Sequence, residues 1–191
     1  EIPVKEIKND GKPLELMLHV NKNLFRIPLQ LAVNEIIPHN FKMENAEGKI
    51  EFGNGKIKLQ MDVKDNTADG ASGKRNPWEN DCAELFFDLV PFMIPPTHAQ
   101  AYTPQTFRLF ITPRGTEKLH VMGAVKPEDC KLDVKQNADG YSFVLEIRAA
   151  TGKMLGFDVK IDDAGNGKIR ETTLGKGKEL YRNRCNFSIV K

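Results

Sequence analysis

The sequence predicts an all-β fold: a mostly antiparallel β-sandwich, with layers of the jelly-roll or immunoglobulin type and long loops. Short runs of alternating or continuous apolar residues recur between turn signals, as they do in β-sandwiches, and few stretches show helical periodicity. A chain of 191 residues is long enough for one full domain with a good core. We therefore expect a single domain spanning residues 1–191.

Eleven segments carry strand signals, and turn residues separate them. In 56–63 every second side chain is apolar, which predicts a strand with one face on a core and the other in water. Gly53-Asn54-Gly55 and Asp139-Gly140 supply the positive-φ residues that tight hairpins need. The predicted strands are 14–20, 25–33, 49–52, 57–63, 82–88, 107–111, 119–122, 132–136, 141–147, 156–161 and 187–190.

The predicted strand 82–88 is unusual because both of its faces carry large or charged side chains. Ala83, Leu85 and Phe87 would face one side of the sheet, and Glu84 would project from the other side beside Phe86. Segments 66–76 and 91–105 are predicted loops, and loops longer than about 12 residues are often functional.

Composition excludes several classes of protein. The 28 basic and 26 acidic residues are interspersed and give a net charge of +2, without the basic stripe that nucleic acid binding needs. No apolar run approaches the ~18 residues of a membrane span. Because the chain begins at Glu1, we interpret it as a mature or excised piece. Cys82, Cys130 and Cys185 are too few for a disulfide scaffold, although one bridge stays open as an alternative.

The segment from Pro77 to Asp88 is the strongest local pattern. The single Trp of the chain, Trp78, ends a polar loop, and a strand containing Glu84 follows it. Sugar rings present C–H faces that stack on aromatic side chains, and carboxylates bind their hydroxyls, so this pairing suits a carbohydrate. The alternative is that Trp78 is a core residue at one end of the sandwich.

Four segments in register resemble the carbohydrate-binding modules of family 9 and their DOMON-like relatives. The Pro-Trp-x-x-Asp-x-x-Glu-Leu-Phe-Phe-Asp run at 77–88 is similar to the signature strand of that family. The strand ending in Val-x-Asp at 57–65, the Gly-Tyr strand at 139–147 and the Gly-Phe-x-Val run at 156–164 agree with it in order and spacing. The resemblance covers about residues 45 to 191, and residues 1–45 match weakly.

The resemblance implies non-catalytic binding of the end of an oligosaccharide or polysaccharide. It places a sugar between Trp78 and Tyr181, in a slot that we expect at one end of the sandwich, with hydrogen bonds to polar side chains. It also implies an extracellular, periplasmic or cell-surface location, no required cofactor and an attached catalytic domain. The polar residues that it indicates are Glu84, Arg108, Lys160 and Asp162.

Structural alternatives stay open for these residues. Glu84 and Arg108 would also suit an ion pair between strands, and Tyr181 would also suit packing on the sheet. The family commonly holds a structural calcium, which the resemblance assigns to Asp88, Asp158 and Asp163; turn capping is the alternative for these carboxylates.

Two other functions are weaker interpretations. Catalysis by Asp81 and Glu84 is disfavoured because residues three apart on a strand point to opposite faces, and the common catalytic motifs are absent. A haem site would need axial ligands from the Met and His residues, most of which lie at positions typical of packing. The candidates are Met17, Met43, Met61, Met93, Met122, Met154, His19, His39, His98 and His120.

Four basic residues surround Tyr181 in the sequence: Lys176, Lys178, Arg182 and Arg184. Such a cluster is usually a solvated surface. Beside an aromatic platform it would instead favour a sulfated or uronic acid glycan.

Overall fold

The computed structural model describes residues 14–20, 23–29, 36–65, 76–89, 104–114, 117–165, 168–175, 180–181 and 187–190. In 14–20 and 23–29 only the backbone is described. No helix in these ranges is long and apolar enough to cross a membrane.

The described residues form thirteen strands and two short 3-10 helices, at Pro77–Glu79 and Pro127–Asp129. The strands are β1 (Leu14–Val20), β2 (Asn23–Leu29), β3 (Ile37–Lys42), β4 (Ala46–Gly53), β5 (Lys56–Lys64), β6 (Cys82–Asp88), β7 (Thr106–Ile111), β8 (Leu119–Gly123), β9 (Cys130–Asn137), β10 (Gly140–Arg148), β11 (Leu155–Gly165), β12 (Lys168–Thr173) and β13 (Ser188–Val190).

Two antiparallel sheets form the sandwich. The five-stranded sheet has the order β3-β4-β5-β10-β9. The six-stranded sheet has the order β12-β11-β6-β7-β8, and β13 pairs with the first residues of β11 on the same side as β12. Strands β1 and β2 pair with each other as a hairpin. The predicted β-sandwich is confirmed.

The core lies between the two sheets and is rich in aromatic side chains. Phe41 of β3 meets Phe157 of β11 edge to face across the sandwich, with ring centroids 5.5 Å apart. Phe87 of β6 and Phe107 of β7 stack at 4.7 Å within the six-stranded sheet. Burying each such ring contributes roughly 1.5–3 kcal/mol relative to leaving it exposed. The core faces of β5 and β10 add Ile57, Leu59, Met61, Val63, Phe143, Leu145 and Ile147.

The two predicted hairpins are present. Asn54 and Gly55 form the turn between β4 and β5 with φ values of 49° and 72°. Gly140, with φ of 145°, opens β10 directly after the turn that follows β9. Glycine and asparagine adopt these backbone angles at low steric cost, which is why the sequence signalled both turns.

Every predicted strand overlaps an observed one, but β3 and β12 were missed. Both are edge strands in the described topology. β3 contains Pro38, which cannot donate to a ladder, and nearly every residue of β12 is exposed. Neither strand therefore carries the apolar alternation that predicts a strand. Of the two predicted loops, residues 66–75 and 91–103 lie outside the described residues.

Cys82 and Cys130 are both free thiols. Burial, together with the nearby Asp162 and Glu84, raises the pKa of Cys82 well above its ordinary value. Cys82 is therefore an unreactive core thiol. Cys185 lies outside the described residues, so a bridge to it stays a prediction.

Candidate functional site

The candidate site lies on the outer face of the six-stranded sheet. Ala83, Leu85 and Phe87 of β6 face the core, as predicted, so Glu84 and Phe86 face outward. The register places Lys160 of β11 opposite Glu84 and Arg108 of β7 opposite Phe86. Glu84, Arg108 and Lys160 thus lie within strands of this sheet, and the expected slot at one end of the sandwich stays a prediction.

Lys160 is the centre of a charged cluster on this face. Its Nζ atom lies 2.7 Å from Oε1 of Glu84, 3.1 Å from Oδ1 of Asp162 and 3.1 Å from Oε1 of Glu171. Glu84 is 2% exposed and Asp162 1% exposed, whereas Glu171 on β12 is exposed. One ammonium group thus neutralises two buried carboxylates on neighbouring strands.

Burial and neighbouring charges shift the pKa values of Lys160 and Asp162. Burial disfavours the charged form of Lys160, but Asp162 and Glu84 outweigh it and raise the pKa of Lys160. Burial and the neighbouring Glu84 raise the pKa of Asp162, while Lys160 opposes the shift. Lys160 therefore stays protonated, whereas Asp162 binds its proton more tightly than an ordinary aspartate.

Arg108 lies beside this cluster, among three aromatic rings. The centre of its guanidinium is 4.5 Å from the centroid of the Phe110 ring, 5.8 Å from Phe86 and 6.0 Å from Trp78. Its Nη1 atom is 3.7 Å from Oε2 of Glu84, so the ion pair considered as an alternative is present. Arg108 is both a strand-to-strand contact and a cation next to Trp78.

Trp78 is positioned by the 3-10 helix before β6. The backbone N–H of Glu79 donates to the carbonyl of Asn76, and the side-chain amide of Asn80 donates to the same carbonyl at 2.7 Å. The indole ring contacts Phe110, with centroids 5.6 Å apart, and stays 40% exposed. Trp78 is therefore not sealed in the core, and one face of the ring can accept a ligand.

Tyr181 is held on the same face by its neighbours. Leu180 and Phe187 are buried and pack against Phe86, which projects outward from β6. The ring of Tyr181 is 47% exposed. Residues 176–179 and 182–186, which include the four basic residues around Tyr181, lie outside the described residues.

Asp158 anchors the segment that carries Tyr181. Its carboxylate accepts hydrogen bonds from the backbone N–H of Gly175 at 3.0 Å and of Ser188 at 3.3 Å, which flank that segment on both sides. A Cβ at Gly175 would lie 2.3 Å from Oδ2 of Asp158, so glycine permits this close approach. Asp158 is thus occupied by backbone donors.

The three carboxylates predicted to hold calcium do not come together. Asp158 and Asp163 are five residues apart on β11, which separates them by roughly 16 Å and turns them to opposite faces. Asp88 is buried at the end of β6, opposite Gly156 and near Asp158. The predicted residues therefore do not form one metal site.

A different acidic cluster includes Asp163. Ligand atoms of Asp65, Asp81 and Asp163 lie within 4.8 Å of one another, at the ends of β5, β6 and β11. Oδ1 of Asp81 accepts from the backbone N–H of Ala164 at 2.9 Å, while its Oδ2 makes no hydrogen bond and lies 3.8 Å from Nη1 of Arg114. Burial raises the pKa of Asp81 to about 6. Asp65 and Asp81 belong to the Val-x-Asp and Trp-x-x-Asp motifs of the sequence. The spacing of these motifs along the chain does not show that the two carboxylates lie together.

The residues considered for haem have other roles where the structure describes their side chains. Met43 and Met61 are buried in the core, and Met122 is 49% exposed beside Arg108. Nδ1 of His120 lies 3.7 Å from a carboxylate oxygen of Glu117. Side chains of Met17 and His19 are not described, and Met93 and His98 lie outside the described residues.

A comparison with protein-family models identifies the family. The model of the carbohydrate family 9 binding domain-like family matches residues 25–181, which is most of the chain. The chain belongs to this carbohydrate-binding family. The resemblance read from the sequence is confirmed, and the match begins earlier in the chain than the motifs indicated. No curated protein matches the chain.

Two solved structures of family 9 modules share the fold. A carbohydrate-binding module of family 9 from Caldicellulosiruptor kristjanssonii in complex with cellotriose has a TM-score of 0.66 at 15% identity, covering 85% of this chain and 89% of that chain. A family 9 module from the same organism in complex with glucose has a TM-score of 0.65 at 16% identity. The match covers 85% of this chain and 83% of that chain. At these identities the likeness establishes the fold.

The first prediction concerns the charged cluster of this family 9 domain. Lys160→Gln should destabilise the fold by about 3 kcal/mol, because it leaves the buried carboxylates of Glu84 and Asp162 without their cation. The double variant Lys160→Gln with Asp162→Asn should recover much of that loss, since one of the buried charges is then removed. Chemical denaturation measures both values. If the two substitutions lowered the free energy of unfolding additively in the double variant, Lys160 and Asp162 would not be coupled.

The second prediction concerns Asp158. Asp158→Ala should lower the free energy of unfolding by about 1–3 kcal/mol, because it removes the acceptor of buried backbone donors. Amide hydrogen exchange should become faster at Gly175 and Ser188 in particular. Asp133→Ala, on the exposed strand β9, is the matched control and should leave both measurements unchanged. Unchanged exchange at these two amides in Asp158→Ala would show that Asp158 does not anchor the Tyr181 segment.

Proposed function

We propose that the chain binds the end of a glycan without cleaving it, clamping one sugar ring between Trp78 and Tyr181. The supporting observation is that both rings are exposed on the face of the sheet that carries the charged cluster. Aromatic rings of this kind stack on the C–H face of a sugar, and polar side chains between them bind its hydroxyls.

The polar contacts would come from the charged residues on this face. Arg108 is the polar residue next to Trp78 and supplies N–H donors. Glu84 and Asp162 are more deeply buried, and the Nζ atom of Lys160 is surrounded by carboxylates of the protein. We assign direct contact chiefly to Arg108 and a positioning role to Lys160.

The sugars held by the similar structures support the proposal that the ligand is a carbohydrate. The two family 9 modules from Caldicellulosiruptor kristjanssonii hold cellotriose and glucose. A site with two partly exposed rings and few donors suggests a dissociation constant in the micromolar to millimolar range, near -4 to -8 kcal/mol. Binding modules of this type serve glycan-active enzymes, so we also propose an attached catalytic domain and an extracellular, periplasmic or cell-surface location.

The third prediction tests the clamp. Trp78→Ala and Tyr181→Ala should each weaken binding to cellobiose or a cello-oligosaccharide by about tenfold or more, because each removes one stacking surface. The thermal midpoint should change little, since both rings are partly exposed. Isothermal titration calorimetry measures affinity even after the Trp is removed. Ile36→Ala is the control, an exposed residue beside β3 in the other sheet.

Two results would count against the clamp. Unfolding of either variant would show that the ring is a structural core residue. Full affinity in Tyr181→Ala would show that a single ring carries the stacking.

We further propose that Asp65, Asp81 and Asp163 hold a structural calcium. Three carboxylates from three strand ends supply the hard oxygen ligands that calcium prefers. Oδ2 of Asp81 is buried without a hydrogen bond, which fits a metal ligand. Arg114, 3.8 Å from both Asp65 and Asp81, would have to share this position with the ion.

The fourth prediction concerns this ion. Adding calcium to chelator-treated protein should raise the thermal midpoint, because an ion that binds only the folded state stabilises it in proportion to RT ln(1 + [L]/Kd). Asp65→Asn should abolish the rise, and Asp133→Asn should retain it. An unchanged midpoint in the unmodified protein would indicate that Arg114 alone neutralises these carboxylates.

A further inference from the structure

The guanidinium of Arg108 has donors that the protein does not use. Of its five N–H bonds, one at Nη2 reaches Sδ of Met122 at 3.5 Å, and sulfur is a weak acceptor. Nη1 is 3.7 Å from Glu84, which is longer than a hydrogen bond. Nε is buried and makes no hydrogen bond. Arg108 therefore carries a full charge without a hydrogen-bonded carboxylate.

The ammonium group of Lys160, in contrast, is surrounded by acceptors of the protein. Its three N–H donors are surrounded by three carboxylates within 3.1 Å. Lys160, and not Arg108, thus makes the short contacts with carboxylates on this face. The two cations of the site are not equivalent, because one is satisfied and the other is free to meet a ligand.

An acceptor that matches Arg108 is planar and anionic. A carboxylate accepts two parallel N–H bonds from a guanidinium, and such charge-assisted bonds are about twice as strong as neutral ones. A sugar hydroxyl offers one oxygen and no charge. Because the guanidinium lies 6.0 Å from the Trp78 ring, a carboxylate on a sugar stacked there would be within its reach.

We infer that the ligand of this site is an acidic sugar whose carboxylate binds Arg108. The inference rests on the proposed function and specifies its substrate class. The carboxylate could come from two sources, C6 of a uronic acid or C1 of an oxidised chain end. The sequence around Tyr181 agrees with an anionic ligand, since the stretch 176–184 contains four basic residues, Lys176, Lys178, Arg182 and Arg184, and one acidic residue, Glu179.

The test compares four ligands by calorimetry with the unmodified chain at low ionic strength: cellobiose, cellobiouronic acid, cellobionic acid and the methyl ester of cellobiouronic acid. At least one of the two acids should bind about tenfold tighter than cellobiose. If the uronic acid is preferred, its methyl ester should fall to the cellobiose level. The preferred acid identifies the source of the carboxylate, and its advantage should shrink as salt is added.

A pair of variants assigns the preference to Arg108. Arg108→Gln should remove the advantage of the acid while retaining weak cellobiose binding, and Arg148→Gln should retain it. Arg148 is exposed on β10 in the other sheet, where it contacts Asp129. If Arg108→Gln does not fold, the comparison of acids with cellobiose in the unmodified chain still decides the question.

Failure of the inference and failure of the proposed function give different results. Cellobiose binding as tightly as both acids would overturn the inference and leave the proposed function intact. An acid preference that survives in a folded Arg108→Gln would also overturn it. Binding of none of the four sugars would count against the proposed function, and the inference would be lost with it.

Discussion

Strand β6 is buried on both faces, and this constraint organises the molecule. Each of its seven residues from Cys82 to Asp88 is buried. Leu85 and Phe87 close the core between the sheets, while Glu84 and Phe86 form the floor of the outer face. Other segments of the chain must therefore cover the outer face of β6. The Trp78 helix and the Leu180–Tyr181 segment supply that cover, because Trp78 packs on Phe110 and Leu180 packs on Phe86.

Buried aspartates secure the two segments that carry these rings. Asp81 follows the Trp78 helix and accepts a backbone hydrogen bond from Ala164 at the end of β11. Asp158 accepts from Gly175 and Ser188, on either side of the Tyr181 segment. In each case a carboxylate fixed by the sheet satisfies backbone donors. These hydrogen bonds fix the backbone on both sides of the segment that carries Tyr181 and directly after the helix that carries Trp78.

The charged cluster joins neighbouring strands on the outer face of the six-stranded sheet. Lys160 and Asp162 lie on β11, and Glu84 lies opposite Lys160 on β6. Lys160 and two buried carboxylates form an ion-pair network within the protein, in which neither oxygen of Asp162 makes a hydrogen bond. Arg108, beside this network, has N–H donors that no carboxylate of the protein accepts at hydrogen-bond distance.

The sequence by itself determined the fold class, the hairpins and the two faces of β6, because these depend on local alternation and on residues that tolerate positive φ. It also singled out Trp78, Glu84 and Arg108, since their motif is contiguous or lies on neighbouring strands. The edge strand β12 was missed because nearly all of its residues are exposed, and β3 was missed because Pro38 and His39 interrupt the apolar residues on either side of them.

Only the tertiary structure decided how distant charges combine. Asp65, Asp81 and Asp163 meet because three strands end at one place, and Asp158 turns away from Asp163 because five residues of strand separate them. Whether Lys160 or Arg108 keeps free donors depends on distances of a few tenths of an ångström between side chains. Spacing along a chain does not encode such distances, since they arise from the register between strands and the packing of both faces.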